Sequence, residues 1–231
     1  MKQIYIKIMV VILLLICTDV LLAQEFDNTL NFDVQVNGST LVLEQEYFMD
    51  HIQDSAYIST CKFYISDIVF TKDGNQVDES FEKYNLIDVS KPVSLTISRK
   101  NNESFDAVEF SLGIDSLTNT SGVYGGALDP MFGMYWAWQS GYINFKLEGV
   151  SSVCKSRNNE FQYHLGGYMK PDLAVQRVLL ECPLTKTVGI ALELSEVITF
   201  LNLSEDSEIM RPCHEAVEFS KHIVNQFKIQ K

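Results

Sequence analysis

Short runs of alternating apolar and polar residues, separated by turn-forming pairs, recur along almost the whole chain. Residues 31–36 read N-F-D-V-Q-V with period two; Asn37-Gly38 then supplies a tight turn, and 40–43 resumes as a strand, so the stretch predicts a β-hairpin. Residues 61–71 are rich in β-formers and are followed by the turn pair Asp73-Gly74. Further strands are predicted at 94–98, 107–113, 141–149, 160–165, 173–180 and 188–194. In 141–149 the alternation puts Tyr142, Asn144, Lys146 and Glu148 on one face, with Ile143, Phe145 and Leu147 on the other. Helical spacing is confined to the end. There, 212–227 places Ala216, Phe219, Ile223 and Phe227 along one stripe, and short helical turns are expected near 195–200. A period-two pattern cannot bury one face as a helix. The fold expected is therefore all-β, an immunoglobulin-like β-sandwich with a short C-terminal helix. No repeat, low-complexity stretch or linker divides the chain, which predicts a single domain over 24–231.

The first residues read as a sorting signal. Lys2 and Lys7 form a basic start, 9–16 is an unbroken apolar run, and L-L-A ending at Ala23 suits signal peptidase, which defines a leader over 1–23. The run is too short and interrupted to span a bilayer, which needs about 20 apolar residues. Ile16 before Cys17 argues against lipidation, which wants a small residue there. The mature chain is expected in the periplasm or secreted, with no membrane span after cleavage. Loss of Lys2, Lys7 and Asp19 leaves 16 basic against 29 acidic residues, a net charge of −13. Such a chain repels phosphate backbones, so no nucleic-acid partner is expected. Four cysteines remain, Cys61, Cys154, Cys182 and Cys213. An even number in an oxidising compartment predicts two disulfides, with Cys154 and Cys182 as the first pairing to consider among three arrangements. The spacings lack a local clasp for a zinc site, and no CxxC motif is present.

Residues 113–149 are chemically unusual. The first half is glycine-rich and carries Asp115 and Asp129; the second packs Phe132, Tyr135, Trp136, Trp138, Tyr142 and Phe145 close together and holds both tryptophans of the protein. Strand alternation would put Trp136, Trp138 and Tyr142 on one face. Three readings follow: aromatic filling between two sheets, an exposed platform that stacks on sugar rings, or a redox or metal site that uses tryptophan. Asp115 and Asp129 could ligate calcium from the loop, although turn-forming aspartate is the simpler reading.

The segments G-I-D-S-L-T-N, A-L-D-P-x-x-G-M-Y-W-A-W-Q-S-G-Y-x-x-F-K-L-E-G and F-Q-Y-H-L-G-G, with the earlier F-Y-I-S-D-I and the later I-M-R-P, resemble signature segments of the MbnP-like family. The resemblance spans nearly all of the mature chain, and its tryptophan-rich block is the specific part. It implies a periplasmic β-sandwich that binds copper. It further implies that a di-haem peroxidase-type partner oxidises a tryptophan to kynurenine, which joins two histidines as a copper ligand. Carried over, Trp136 is the first candidate for that modification and Trp138 the second, and His164 of H-L-G-G is the best-placed imidazole. The chain departs from the pattern in two places. The family's Trp-x-His pair appears here as Trp136-Ala137-Trp138. Ser207 stands where relatives often carry a histidine before the Met-x-Pro stretch, with Met210 and His214 nearby.

Copper favours imidazole and thioether, and Cu(I) also thiolate. A site drawn from His164, Met210 and His214, with Met134 as a further sulfur donor, is therefore the expectation. His214 and His222 share a helical face but lie roughly 12 Å apart by helix rise and cannot hold one ion. No G-x-S-x-G, H-E-x-x-H or phosphate-binding loop is present. The expected function is non-enzymatic copper handling, the alternative an interaction or ligand-binding sandwich that has lost its metal.

Overall fold

The computed structural model describes residues 27–78, 82–101, 103–139 and 141–230; the expected leader lies outside the described residues. The smaller of two sheets is built on β1 (Asp27–Val36). It runs parallel to β13 (Thr187–Glu193), with Phe32 opposite Ile190, and antiparallel to β2 (Ser39–Thr40) and β7 (Thr96–Lys100); β15 (Phe227–Ile229) closes the far edge against β13. The larger sheet has β4 (Asp54–Lys72) as its spine. The registers place β10 (Gly141–Ser151) and then β8 (Phe105–Leu112) along one edge of β4. Along the other edge lie β3 (Glu46–Met49), β6 (Tyr84–Asp88) and β5 (Asn75–Asp78). The partner of β4 changes from β10 to β8 between Phe63 and Ile65, and a bulge between Ser66 and Val69, with Asp67 at φ 49°, then interrupts the β4–β8 ladder. β11 (Glu160–Gly166) and the two-residue β14 (Glu208–Ile209) extend the sheet beyond β10, β12 (Gln176–Thr185) extends it beyond β8, and β9 (Tyr135–Trp136) hooks onto the start of β10.

Period two fills the space between the sheets. Leu30, Phe32, Val34 and Val36 of β1 join Phe63, Phe110 and Phe145 of the large sheet in one core, with Phe32 edge-on to Phe63 at 6.3 Å and to Phe110 at 6.0 Å. Each such aromatic contributes about 1.5–3 kcal/mol by burial. The β-sandwich expected from the sequence is thus present. Three helices accompany it: α1 (Ser116–Ser121), α2 (Leu194–Leu201) and α3 (His214–Val224). The C-terminal helix stops three residues short of Phe227, which instead enters β15. Phe227 is still buried, edge-on to Phe63 at 5.9 Å and to Phe110 at 5.4 Å, because helix stripe and strand alternation both turn it inward.

The expectation for the aromatic segment needs correction. Tyr64, Ile114, Leu128, Met134, Trp136, Tyr142 and Ile143 form a second core, separate from the first. Residues 113–136 fold back over the outer face of the large sheet to build it. A register shift between Ile143 and Phe145 turns Ile143 to this outer cluster, away from Phe145 and Leu147.

The expected disulfides are also absent: all four cysteines are free thiols. Cys154 follows Ser151, which pairs with Ala56 near the start of β4, whereas Glu181, beside Cys182, pairs with Ala107, itself paired with Thr71 near the end. The fifteen residue steps from Ala56 to Thr71 correspond to roughly 50 Å of extended strand. A disulfide needs Cα atoms within about 7 Å, so Cys154 and Cys182 cannot bridge.

Candidate metal-binding groove

The outer core is held down residue by residue. Asp115 caps α1 by accepting from the Thr118 amide (2.9 Å), and it is also bonded by the Tyr84 hydroxyl and by Lys83 Nζ (2.9 Å). Asn119 clamps the loop to β10: its Nδ2 donates to the Ile114 carbonyl (3.0 Å) and its Oδ1 accepts from the Tyr142 amide (2.8 Å). The Tyr64 hydroxyl donates to the Ala127 carbonyl (3.1 Å), and Lys62 Nζ donates to the Phe132 carbonyl (3.2 Å). Asp129 caps the next turn through the Met131 amide (2.9 Å). The two carboxylates considered for calcium therefore cap separate turns, and Asp115 already carries a lysine.

This scaffold presents the tryptophans differently. Residues 137–139 turn instead of continuing β9, so strand alternation does not reach Trp138. Trp136 is 4% exposed and Trp138 67%, which corrects the expectation of one shared strand face. Their rings remain neighbours, with centroids 6.2 Å apart and planes tilted by 52°. Trp136 lies over Gly166, where an added Cβ would sit 2.8 Å from its ring and 2.7 Å from the Tyr142 carbonyl. The first glycine of H-L-G-G is thus the gap that admits the indole. Trp136 Nε1 is buried with no hydrogen-bond acceptor, a state that costs about 1–3 kcal/mol.

His164 lies two residues before that glycine and is buried on the same outer face. Its Nε2 is 2.6 Å from Glu148 Oε1, and Lys146 Nζ approaches the same oxygen at 3.2 Å. These two partners, the His164 hydrogen bond first, hold Glu148 down to about 2, against the desolvation that opposes them.

The C-terminal segment docks beside β11. The Gln162 amide donates to the Ser207 carbonyl (2.8 Å), the Tyr163 hydroxyl to the Asp206 carbonyl (2.5 Å), and Tyr163 pairs with Ile209. Ile209 packs against the first core, and Met210 follows it just past the end of β14. A groove of about 430 Å³ opens here, and Trp138, Met210 and Cys213 line it. Asp206, Glu208 and Glu215 contribute carboxylates to the same groove, against the single cation of Arg211. Cys213 is the residue preceding α3, and burial pushes its thiol upward.

The expected ligands thus separate. Trp138 and Met210 come together, with His164 on the same face of the sheet. Met134 is fully buried packing in the outer core, and His214 is exposed at the first turn of α3 and is not part of the groove lining. Cys213 was assigned to a disulfide by the sequence reading, yet it lies in the groove; the M-R-P-C spacing, two soft donors three residues apart, was the signal available. Among the described residues, no three His, Cys, Asp or Glu side chains converge as metal ligands. A site here has to draw on the Met210 thioether or the indoles as well.

A comparison with family models matches residues 25–214 to MbnP. Sequence comparison with curated proteins finds no match. Among solved structures, MbnP from Methylosinus trichosporium shares the fold with a TM-score of 0.61 at 13% identity, over 83% of this chain and 86% of that one. The family match covers most of the chain and the solved structure shares its fold, so the chain belongs to the MbnP family.

Proposed function

We propose that this chain is an exported, non-enzymatic copper-handling protein whose metal is held on the outer face of the large sheet, with a tryptophan there open to oxidation by a di-haem peroxidase-type partner. One observation carries the reading: Trp138 and the Met210 segment, far apart in sequence, line a single groove beside a buried indole whose N–H has no acceptor. The donors fit copper, because thioether and thiol sulfur are soft and the carboxylates around them favour a cation. Exposure makes Trp138 the indole a docking oxidase reaches first, with Trp136 directly behind it. When bound, copper would supply a soft cation for storage or delivery. The chain's own part is to seat Trp136 over Gly166, with the Trp138 ring beside it, and to dock the Met210 segment through β14.

The test is copper titration of the mature chain together with peptide mapping by mass spectrometry. One copper per chain and an oxidised peptide containing Trp138 are expected. No binding at micromolar copper with both tryptophans intact would leave the second reading, a sandwich that kept the fold and lost the metal. Two observations favour that alternative: His164 is bonded to Glu148, and Trp138 stands where the family's histidine is expected. A sugar-stacking platform is not supported, since Trp136 is buried and the rings are tilted.

A further inference from the structure

The geometry points to a sulfur site for Cu(I) in this chain, in which the Met210 thioether and the Cys213 thiolate hold the ion and the Trp138 ring covers it, in place of a histidine pair. The inference rests on the copper reading above and names its donors.

His164 Nε2 is held by Glu148 at 2.6 Å, and His214 is exposed outside the groove lining. His51 Nδ1 is bonded to Thr199 on α2 (3.0 Å), and His222 stacks on Phe200 at 4.1 Å. His51 and His222 both lie against α2, and the groove lining contains no imidazole. The sulfur atoms sit at the groove, where the Cys213 thiol contacts the Glu215 carboxylate and the Ala216 amide. Met210 and Cys213 are three residues apart, both half-buried, and line the same groove. Pro212 stiffens the chain between them, which reduces the ordering needed to bring the two donors onto one ion. Thioether and thiolate together select Cu(I) over harder cations, and an exposed indole face attracts a cation by its quadrupole. Trp136 Nε1, buried without an acceptor behind Trp138, is an independent mark that this corner of the molecule is incomplete in its polar contacts. Asp206, Glu208 and Glu215 outnumber Arg211 and favour a positive occupant. On binding, Cu(I) replaces the Cys213 thiol proton, which passes to solvent; the metal keeps its oxidation state.

The experiment uses the mature chain, reduced with a non-thiol reductant and titrated with Cu(I) in competition with a chromophoric chelator, with Ag(I) as a redox-inert probe. M210L and C213S are each expected to weaken Cu(I) binding by roughly tenfold or more, whereas C182S, at the far end of the large sheet, binds like the parent. Ag(I) quenches tryptophan fluorescence in the parent and loses most of that effect in W138F. X-ray absorption of the copper-loaded parent shows sulfur neighbours, a readout that does not depend on any variant folding. Copper bound by the parent through nitrogen and oxygen alone, with M210L and C213S unaffected, would overturn the sulfur assignment while leaving the copper reading intact. Failure of the parent itself to bind Cu(I) would remove both.

Discussion

Trp136 and Trp138 are two residues apart and have opposite physical roles. Trp136 closes the outer core over Gly166; Trp138 stands in solvent at the groove. Truncation should therefore separate them. Trp136→Ala removes a buried aromatic and leaves a cavity, which costs about 3–5 kcal/mol. Trp138→Ala removes an exposed ring and should change stability by no more than about 0.5–1 kcal/mol. Urea unfolding of the two variants measures the difference, and equal losses would mean that Trp138 also packs. The alternation put both residues on one face and the resemblance took Trp136 first for modification; the turn at 137–139 breaks that alternation and leaves Trp138 as the exposed one.

At the scale of elements, the outer face of β10 and β11 carries a charged ladder in which Lys146 is opposite His164 and Glu148 reaches diagonally to the same ring. Glu148 has its ordinary value near 4.5 lowered to about 2 when folded, chiefly by the His164 hydrogen bond and then by Lys146. A depressed carboxylate contributes stability that is fully present above about pH 4.5 and is lost as pH falls from 4.5 toward 2. Glu148→Gln should thus lower the urea midpoint at pH 6, and the gap to the parent should shrink steadily as acid is added. A gap that does not change with pH would show that Glu148 acts through shape and not charge. The strand 141–149 was legible because its polar positions alternate. The use of those positions was not, since Glu148 meets His164 only through a cross-strand register that no local pattern encodes.

Across the whole molecule, β4 runs through both halves of the large sheet and keeps the cysteines apart. Peptide mapping under non-reducing conditions should recover no peptide linking Cys154 to Cys182, even after mild oxidation; such a linked peptide would contradict the register of β4 with β10 and β8. Cysteine counting predicted bridges because it sees number and compartment but not position. The sandwich itself was legible: 31–36, 61–71, 107–113 and 188–194 all lie within or overlap strands whose apolar positions point inward. The short strands β3 and β6 and helix α1 were not predicted, because each takes its form from contact with a neighbour: β3 and β6 from β4, α1 from Asp115 and Asn119.

Local side-chain periodicity and turn chemistry, written in the sequence alone, determined that this chain forms strands with one apolar face and carries a helix within 212–227. They act over a few residues, so they survive without knowledge of the fold. Only the tertiary structure decided that the tryptophan segment covers the outside of a sheet, that one indole is buried and the other free, and that Met210 and Cys213 meet Trp138 in a groove. Those outcomes depend on strand register and on a bulge in β10, which bring together residues about 70 positions apart.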